Sequence, residues 1–258
     1  MDPPTKRKTR DQFAGVAERY RTSVDHSDAD DREILLSRLA LDPSLLLLDV
    51  ATGGGHTAVA FSTRVRKVVA SDLTPEMLWE ARALAAERHC TNMAFVAADA
   101  ESLPFAPESF DRVTCRIAPH HFPDCARFVR EGARVLKPGR ALLVQDHVLP
   151  EDPEAARAID AFERLRDPSH QRAFAASEWA DMFRRAGLAV AHTEQVVKQH
   201  AFLPWAERQG CTPDVIARLV EMMRGAAPAV VQWLQPRAFG TPQATFVNRH
   251  ILILGRKE

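Results

Sequence analysis

The stretch "LLLLDVATGGGHTA", residues 45–58, constrains the fold more than any other part of the chain. Four leucines before an acid have the length and composition of a buried strand, and the three glycines after it mark a turn. Gly53, Gly54 and Gly55 can take positive φ and carry no Cβ, so a ligand can approach the backbone there. A helix entered from such a turn points its free N–H groups at the same place.

The remaining chain repeats the pattern. Strand-like runs occur at 45–50, 67–72, 93–99, 110–115 and 140–148, separated by helical patterns in "TAVAFSTRV", "PEMLWEARALAAERH" and "CARFVREGARVL". Pro75 suits a first helical turn, and "KPGR" after Leu136 reads as a stop followed by a turn. Asp49 and Asp72 are 23 residues apart and Asp72 and Asp99 are 27 apart, a rhythm that leaves room for a helical crossover between parallel strands. The expected fold class is α/β, a doubly wound, Rossmann-like sheet. Two helices precede the first strand, in "RDQFAGVAERYR" and "DDREILLSRLAL". Two follow the fifth, in "PEAARAIDAFERLRD" and "SEWADMFRRAGL", and strands are expected in "AVAHTEQVVKQHAF" and "TFVNRHILILGRKE". Residues 203–236, punctuated by Pro204, Pro213, Pro228 and Pro236, read as short helices inserted between those last strands.

In such a sheet the ligand lies beyond the carboxyl ends of the strands, where Asp49, Asp72 and Asp99 fall. Asp72 stands 19 residues after Gly53, the spacing at which a strand-end carboxylate accepts from both ribose hydroxyls. The "GGGHTA" turn satisfies the form of the dinucleotide fingerprint and also suits S-adenosylmethionine. Asp49 favours the second ligand, since a carboxylate there would repel a pyrophosphate but suits an ammonium and a sulfonium.

With these motifs, "AADAESLPF", "ESFDRVTC" and "ARVLKPGRALLV" together, the chain resembles the class I S-adenosylmethionine-dependent methyltransferases, in the small-molecule group that includes the ubiquinone and menaquinone biosynthesis enzymes. The likeness runs from about residue 43 to 148 and extends to about 200 through "LRDPSH" and "SEWADMFRRAGL". It implies a mostly parallel seven-stranded sheet with an antiparallel last strand, a domain over 43–258 carrying the 203–236 insert, and helices in 1–42 that cover the cofactor. It also implies S-adenosylmethionine as methyl donor, S-adenosylhomocysteine as product, and a small-molecule acceptor, for which the Trp-, Met- and Val-rich insert at 203–236 suits an apolar or aromatic compound. Asp49 then resembles the acid that opens the glycine motif, and Gly53 and Gly55 the backbone that meets the methionine part. Asp72 resembles the ribose acid, Leu73 an apolar neighbour of the adenine, Asp99 the acceptor for its amino group, and Ala100 a backbone donor to the ring. Ala51 departs from the pattern, standing where the family has its first glycine.

On the acceptor side, "CRIAPHHFPDC" follows the fourth strand. The likeness puts this loop between sulfonium and substrate, making Arg116 a candidate to touch cofactor and acceptor and His120 the candidate general base, while His121 fits better as a helix cap or as packing beneath the loop. His147 and His170 are further candidate bases or exposed histidines, and Tyr20 is placed by the likeness over the cofactor. A metal reading of His120, His121, Asp124 and Cys125 matches no zinc spacing, so no metal is expected.

Composition narrows the alternatives. The chain has 34 basic and 34 acidic side chains, so there is no field to attract nucleic acid, and "KRKTR" (6–10) reads as a solvated tail. Its four cysteines lack CxxC spacing, and no apolar run is long enough to span a membrane. These features suggest a cytoplasmic protein, as monomer or homodimer. The rival functions are a nicotinamide-dependent oxidoreductase on the same kind of sheet, and a protein that binds the adenosyl ligand without catalysis.

Overall fold

The structure, a computed structural model, describes residues 4–14 and 29–258. In chain order the elements are α1 (Pro4–Ala14), α2 (Ala29–Arg38), β1 (Leu46–Val50), α3 (His56–Ser62), β2 (Lys67–Asp72), α4 (Pro75–Glu87), β3 (Met93–Ala97) and β4 (Phe110–Arg116). A single 3-10 turn (Pro119–His121) leads to α5 (Cys125–Val135), β5 (Leu136–Leu149), α6 (Pro153–Arg166), β6 (Phe174–Ala175), α7 (Ala176–Arg185) and β7 (Leu188–Ala201). The chain ends with α8 (Phe202–Arg208), α9 (Pro213–Arg224), α10 (Pro228–Leu234) and β8 (Thr245–Lys257).

The sheet runs in the order β3-β2-β1-β4-β5-β8-β7, with the two-residue β6 beside β5. All pairings from β3 to β5 are parallel, and β8 is antiparallel to both of its neighbours. The order reverses between β1 and β4, and the ligand crevice of a doubly wound sheet opens at that switch. Alternation along each strand explains the two covered faces. Leu48, Val50, Val113, Leu142 and Val144 pack with Phe128, Trp179 and Phe183, while Leu47, Val68, Leu143 and Leu252 pack with Leu35 and Phe61. A third cluster, including Phe162, Trp205, Leu219, Met223, Val230 and Phe246, fixes the insert to α6 and β8.

Two expectations need correction. The first residues are not a tail throughout: α1 begins at Pro4, whose missing N–H costs nothing in a first helical turn, and Lys6 is only 8% exposed. The "KPGR" segment does not separate helix from strand either. Helix α5 ends at Val135 and β5 starts at once, and the register jumps from Phe110↔Leu136 to Arg112↔Ala141. Gly139, at φ 71°, lets the strand absorb the extra residues as a bulge.

The glycine turn is tightly determined. Gly53 and Gly55 take φ of 53° and 85°, whereas Gly54 does not have positive φ. A Cβ on Gly53 would enter open space, but one on Gly55 would lie 2.8 Å from the Ala81 Cβ on α4. Gly55→Ala therefore combines a left-handed backbone with a collision against a packed helix, and we expect it to lower stability by about 2–4 kcal/mol. Urea unfolding reads this directly. Gly53→Ala, with no neighbour to strike, should lose clearly less.

Candidate functional site

Beyond the carboxyl ends of β1, β2, β3 and β4 lies a cavity whose donor-side wall includes Ala51, Gly53, Asp72, Leu73, Asp99 and Ala100. Six of the positions expected to touch the cofactor are thus brought together. The Asp72 carboxylate is fixed by two backbone donors: Gly53 N–H to Oδ2 and Thr74 N–H to Oδ1, each at 2.9 Å. Burial pushes its pKa up to about 6, against the pull of these N–H groups. Ala51 has φ 53°, so the methyl group sits on a left-handed backbone that glycine would occupy without strain.

Asp49 has a different position. It is buried beneath the turn and is absent from the cavity wall; Thr52 Oγ1 donates to its Oδ2 at 2.7 Å and Thr114 Oγ1 to its Oδ1 at 2.8 Å. Burial raises its pKa to about 6. At the far end of the donor side, Asp99 Oδ1 accepts from the Glu101 N–H. Lys6 Nζ of α1 lies 2.6 Å from both Asp99 Oδ2 and Glu101 Oε2. Tyr20 lies outside the described residues.

The acceptor side is built from the loop after β4 and from the long strands β5, β7 and β8. His120 and His121 line the cavity in the 3-10 turn. Neither caps a helix: Asp124 caps α5 by accepting from the Arg127 N–H at 2.8 Å. Asp146 of β5 is fully buried and grips His120 twice, accepting its backbone N–H at 2.7 Å and facing its Nδ1 at 2.6 Å. Burial, with the neighbouring histidines, holds His120 well below the usual imidazole value, and burial raises Asp146 to about 7. When Asp146 is ionised its oxygen takes the Nδ1 proton as a hydrogen bond, which leaves His120 Nε2 as a lone-pair acceptor.

His147, His170 and His250 gather around this pair, with ring centroids of His120 and His147 at 4.5 Å, His120 and His170 at 5.2 Å, and His147 and His250 at 4.9 Å. His147 lines the cavity, and Asn248 Nδ2 is 3.3 Å from its Nδ1. His170 is buried, not exposed, with Nε2 2.7 Å from Asp160 Oδ1. His121 Nδ1 is 3.1 Å from Ser169 Oγ, which donates to Asp167 Oδ1 at 2.6 Å. Arg116 stands at the end of β4 but is not on the cavity wall, and its Nε donates to Gln145 Oε1 at 3.2 Å. Among the described residues no group of His, Cys, Asp and Glu is arranged to hold a metal; Cys125 is buried in the main core.

Sequence reasoning missed Asp146, Lys6, Asn248 and His250. Asp146 carries a related signal, a carboxylate near the end of an apolar strand in "LLVQDHV", three residues before β5 ends.

Comparison with known proteins agrees with this geometry. The family described as "Methyltransferase domain" matches residues 48–144. YcgJ of Bacillus subtilis (strain 168), an uncharacterised methyltransferase, is 36% identical over 215 residues, 83% of this chain and 85% of its own length. The crystal structure of the BH2331 protein from Bacillus halodurans C-125 superposes with a TM-score of 0.85 at 36% identity, covering 89% of this chain and 99% of that one. The ubiquinone/menaquinone biosynthesis C-methyltransferase UbiE of Hahella chejuensis is 37% identical over 120 residues, 45% of this chain and 48% of its own. The chain belongs to the S-adenosylmethionine-dependent methyltransferases. Its match along most of YcgJ, against only half of UbiE, places the closer likeness with the former. S-adenosylmethionine is accordingly its cofactor, and the open space over Gly53 beside the Asp72 carboxylate fits a ribose approaching the backbone.

The raised pKa of Asp72 has a testable consequence. A diol held there would meet an ionised acceptor above about pH 6 and a protonated carboxyl below it. S-adenosylhomocysteine affinity should therefore fall as pH drops through 6, and titration calorimetry from pH 5 to 8 measures it. Asp72→Asn should bind about 10-fold or more weakly at pH 8, as expected for loss of hydrogen bonds to a charged group, and with little pH dependence.

Proposed function

We propose that the protein methylates a small-molecule acceptor by in-line displacement, with His120 as general base and Asp146 as the group that orients it. The observation that carries this reading is His120 on the wall of the same cavity as Gly53 and Asp72, with the buried Asp146 held to it from behind. When bound, the cofactor supplies an electrophilic methyl carbon on a sulfonium. Asp72 would hold the ribose, Leu73 and Ala100 would flank the adenine, and Asp99 would accept from its amino group. Asp49 would act from beneath the turn, keeping the backbone of Gly53 and Gly55 in place.

Transfer to a cation's methyl group disperses charge, so the protein's task is to exclude water and to align the nucleophile. His120 Nε2 would take the acceptor's proton, and Asp146 would retain the Nδ1 proton and stabilise the imidazolium. His147 is placed to share hydrogen bonds at the acceptor, while Arg116 acts indirectly through Gln145. Residues 1–42 would cover the cofactor through α1, and residues 43–258 would form the catalytic domain. Within the 203–236 insert, Trp205 and Arg208 reach the cavity, whereas Leu219, Met223 and Val230 are core.

Release of S-adenosylhomocysteine during an acceptor screen of phenols, amines, thiols and carbon acids tests the reading. His120→Ala should cut turnover by about 10²-fold or more with cofactor affinity within a few-fold of wild type. Because Nε2 is free only when Asp146 is ionised, wild-type kcat should rise with pH through about 7. Asp146→Asn should lower kcat and abolish that rise. Wild-type turnover in both variants would remove the pair from the chemistry.

A further inference from the structure

We propose that His147 and His250 form a pair of imidazole N–H donors beside the His120 base, so that the methyl acceptor is a carbonyl compound held by its oxygen, with the proton it gives up on an atom conjugated to that carbonyl. The inference rests on the methyltransferase reading and names the acceptor's chemical class.

Strand register makes the pair. His147 of β5 and His250 of β8 are direct partners across the antiparallel ladder, so their rings share one face of the sheet. The ring centroids are 4.9 Å apart, both side chains line the cavity, and the His120 ring lies 4.5 Å from that of His147.

The surroundings of each ring decide which nitrogen carries its proton. Asn248 is oriented by its Oδ1, which accepts the Arg249 N–H at 2.8 Å, so it is Nδ2 that lies 3.3 Å from His147 Nδ1. An amide NH2 can only donate, and His147 Nδ1 is therefore the bare nitrogen. Burial and the neighbouring histidines hold His147 well below the usual imidazole value, so its single proton sits on Nε2. His250 is 4% exposed, and its Nδ1 is sealed from solvent with no hydrogen-bond partner among the described residues. A sealed N–H costs more to leave unpaired than a sealed lone pair. Burial, with Lys198, Arg116 and His200, holds His250 at about 3, so this ring is neutral too and its proton belongs on Nε2. Neither Nε2 has a partner among the described residues and neither is sealed, which leaves two N–H groups open to the cavity. His120 has the opposite arrangement, with Nδ1 turned to Asp146.

Two donors beside one base define the ligand. A carbonyl oxygen offers two lone pairs and no proton, the complement of two N–H groups, whereas hydrocarbon in its place would strip water from both donors and return nothing. The same wall carries charges of both signs, with an ionised Asp167 as well as Lys198, and Arg166 lies 4.0 Å from Glu163, so charge alone does not select an ionic ligand. His120 Nε2 takes the proton of the conjugated O–H or C–H, and the electron pair left behind spreads onto the held oxygen. That pair then bonds the methyl carbon as the carbon–sulfur pair leaves on sulfur, giving the methylated acceptor, S-adenosylhomocysteine and an imidazolium. Donors already aimed at the oxygen stabilise its charge as it develops.

Nitrogen NMR of the isotope-labelled full chain reads the tautomers without a ligand. We expect a protonated Nε2 and a bare Nδ1 in both His147 and His250, and a protonated Nδ1 in either overturns the proposal. Titration calorimetry in the presence of S-adenosylhomocysteine then compares ortho-hydroxyacetophenone with ortho-ethylphenol, in which a methylene replaces the carbonyl. The ketone should bind about 10-fold or more tightly, the scale of two hydrogen bonds, and the preference should fall below about threefold in a His147→Phe/His250→Phe variant shown by thermal unfolding to be folded. Equal binding of the two compounds, binding of neither, or a preference that survives the double substitution overturns the proposal. The methyltransferase reading fails separately, by absence of S-adenosylhomocysteine binding to the wild-type chain.

Discussion

The donor half of the site depends on the carboxylate of Asp72, which accepts from the Gly53 N–H on one oxygen and the Thr74 N–H on the other. One side chain thereby ties the turn after β1 to the loop that opens α4. The same turn is pressed against α4 through Gly55 and Ala81, so its depth is set by a contact that admits no Cβ. Burial of Asp72 opposes this arrangement, as its raised pKa records, and the backbone donors offset part of the cost. The outcome is an acceptor group that is rigid before a ligand arrives, and rigidity of that kind reduces the entropy lost on binding.

The acceptor half has another architecture. Strands β5, β7 and β8 run for 14, 14 and 13 residues, against 5 and 6 for β1 and β2. Their extra length rises beyond the crevice as a wall, backed by α6, α8 and the cluster around Trp205 and Phe246. The donor side is defined mostly by backbone and strand-end acids, and the acceptor side by side chains projecting from that wall. A fold can keep the first constant while varying the second, which is how one sheet serves many substrates.

That division explains what was legible in the sequence. The strand, turn and helix around "LLLLDVATGGGHTA" are written in local periodicity and in glycine, so β1, α3 and the place of Asp72 could be read directly. Asp99 followed from a strand end, while Leu73 and Ala100 followed from the resemblance to the methyltransferase family. Lys6 could not be read, since its ion pair with Asp99 spans 93 residues and the basic run it belongs to resembles a solvated tail in sequence. Asp146 was not legible because β5 runs past it to Leu149, so it does not mark a strand end as Asp72 does, and its partner His120 is 26 residues away. His170 reads in sequence as a base or an exposed loop residue, and it is buried by long-range contacts with Asp160, His120 and His147. The hinge-like "KPGR" misled because a single glycine at positive φ accommodates a bulge as readily as a turn.

The buried histidines and acids pull the stability of the fold in opposite directions with pH. As pH falls from ~6.5 towards 3, the unfolded chain takes up a proton that the folded chain's His250 refuses, so folding weakens. As pH rises from ~3.9 towards 6 or 7, the unfolded chain releases protons that Asp49, Asp72 and Asp146 retain in the folded state, and folding weakens again. At neutral pH the acids carry their full cost and the histidine none, whereas in acid the order reverses, and a core of hydrocarbon would carry neither. A cavity that keeps imidazoles neutral and carboxylates reluctant to ionise holds groups whose protonation can change when a charged ligand enters. A charged ligand beside Asp72 and His250, both on the cavity wall, would shift their protonation through charge alone, without movement of the backbone.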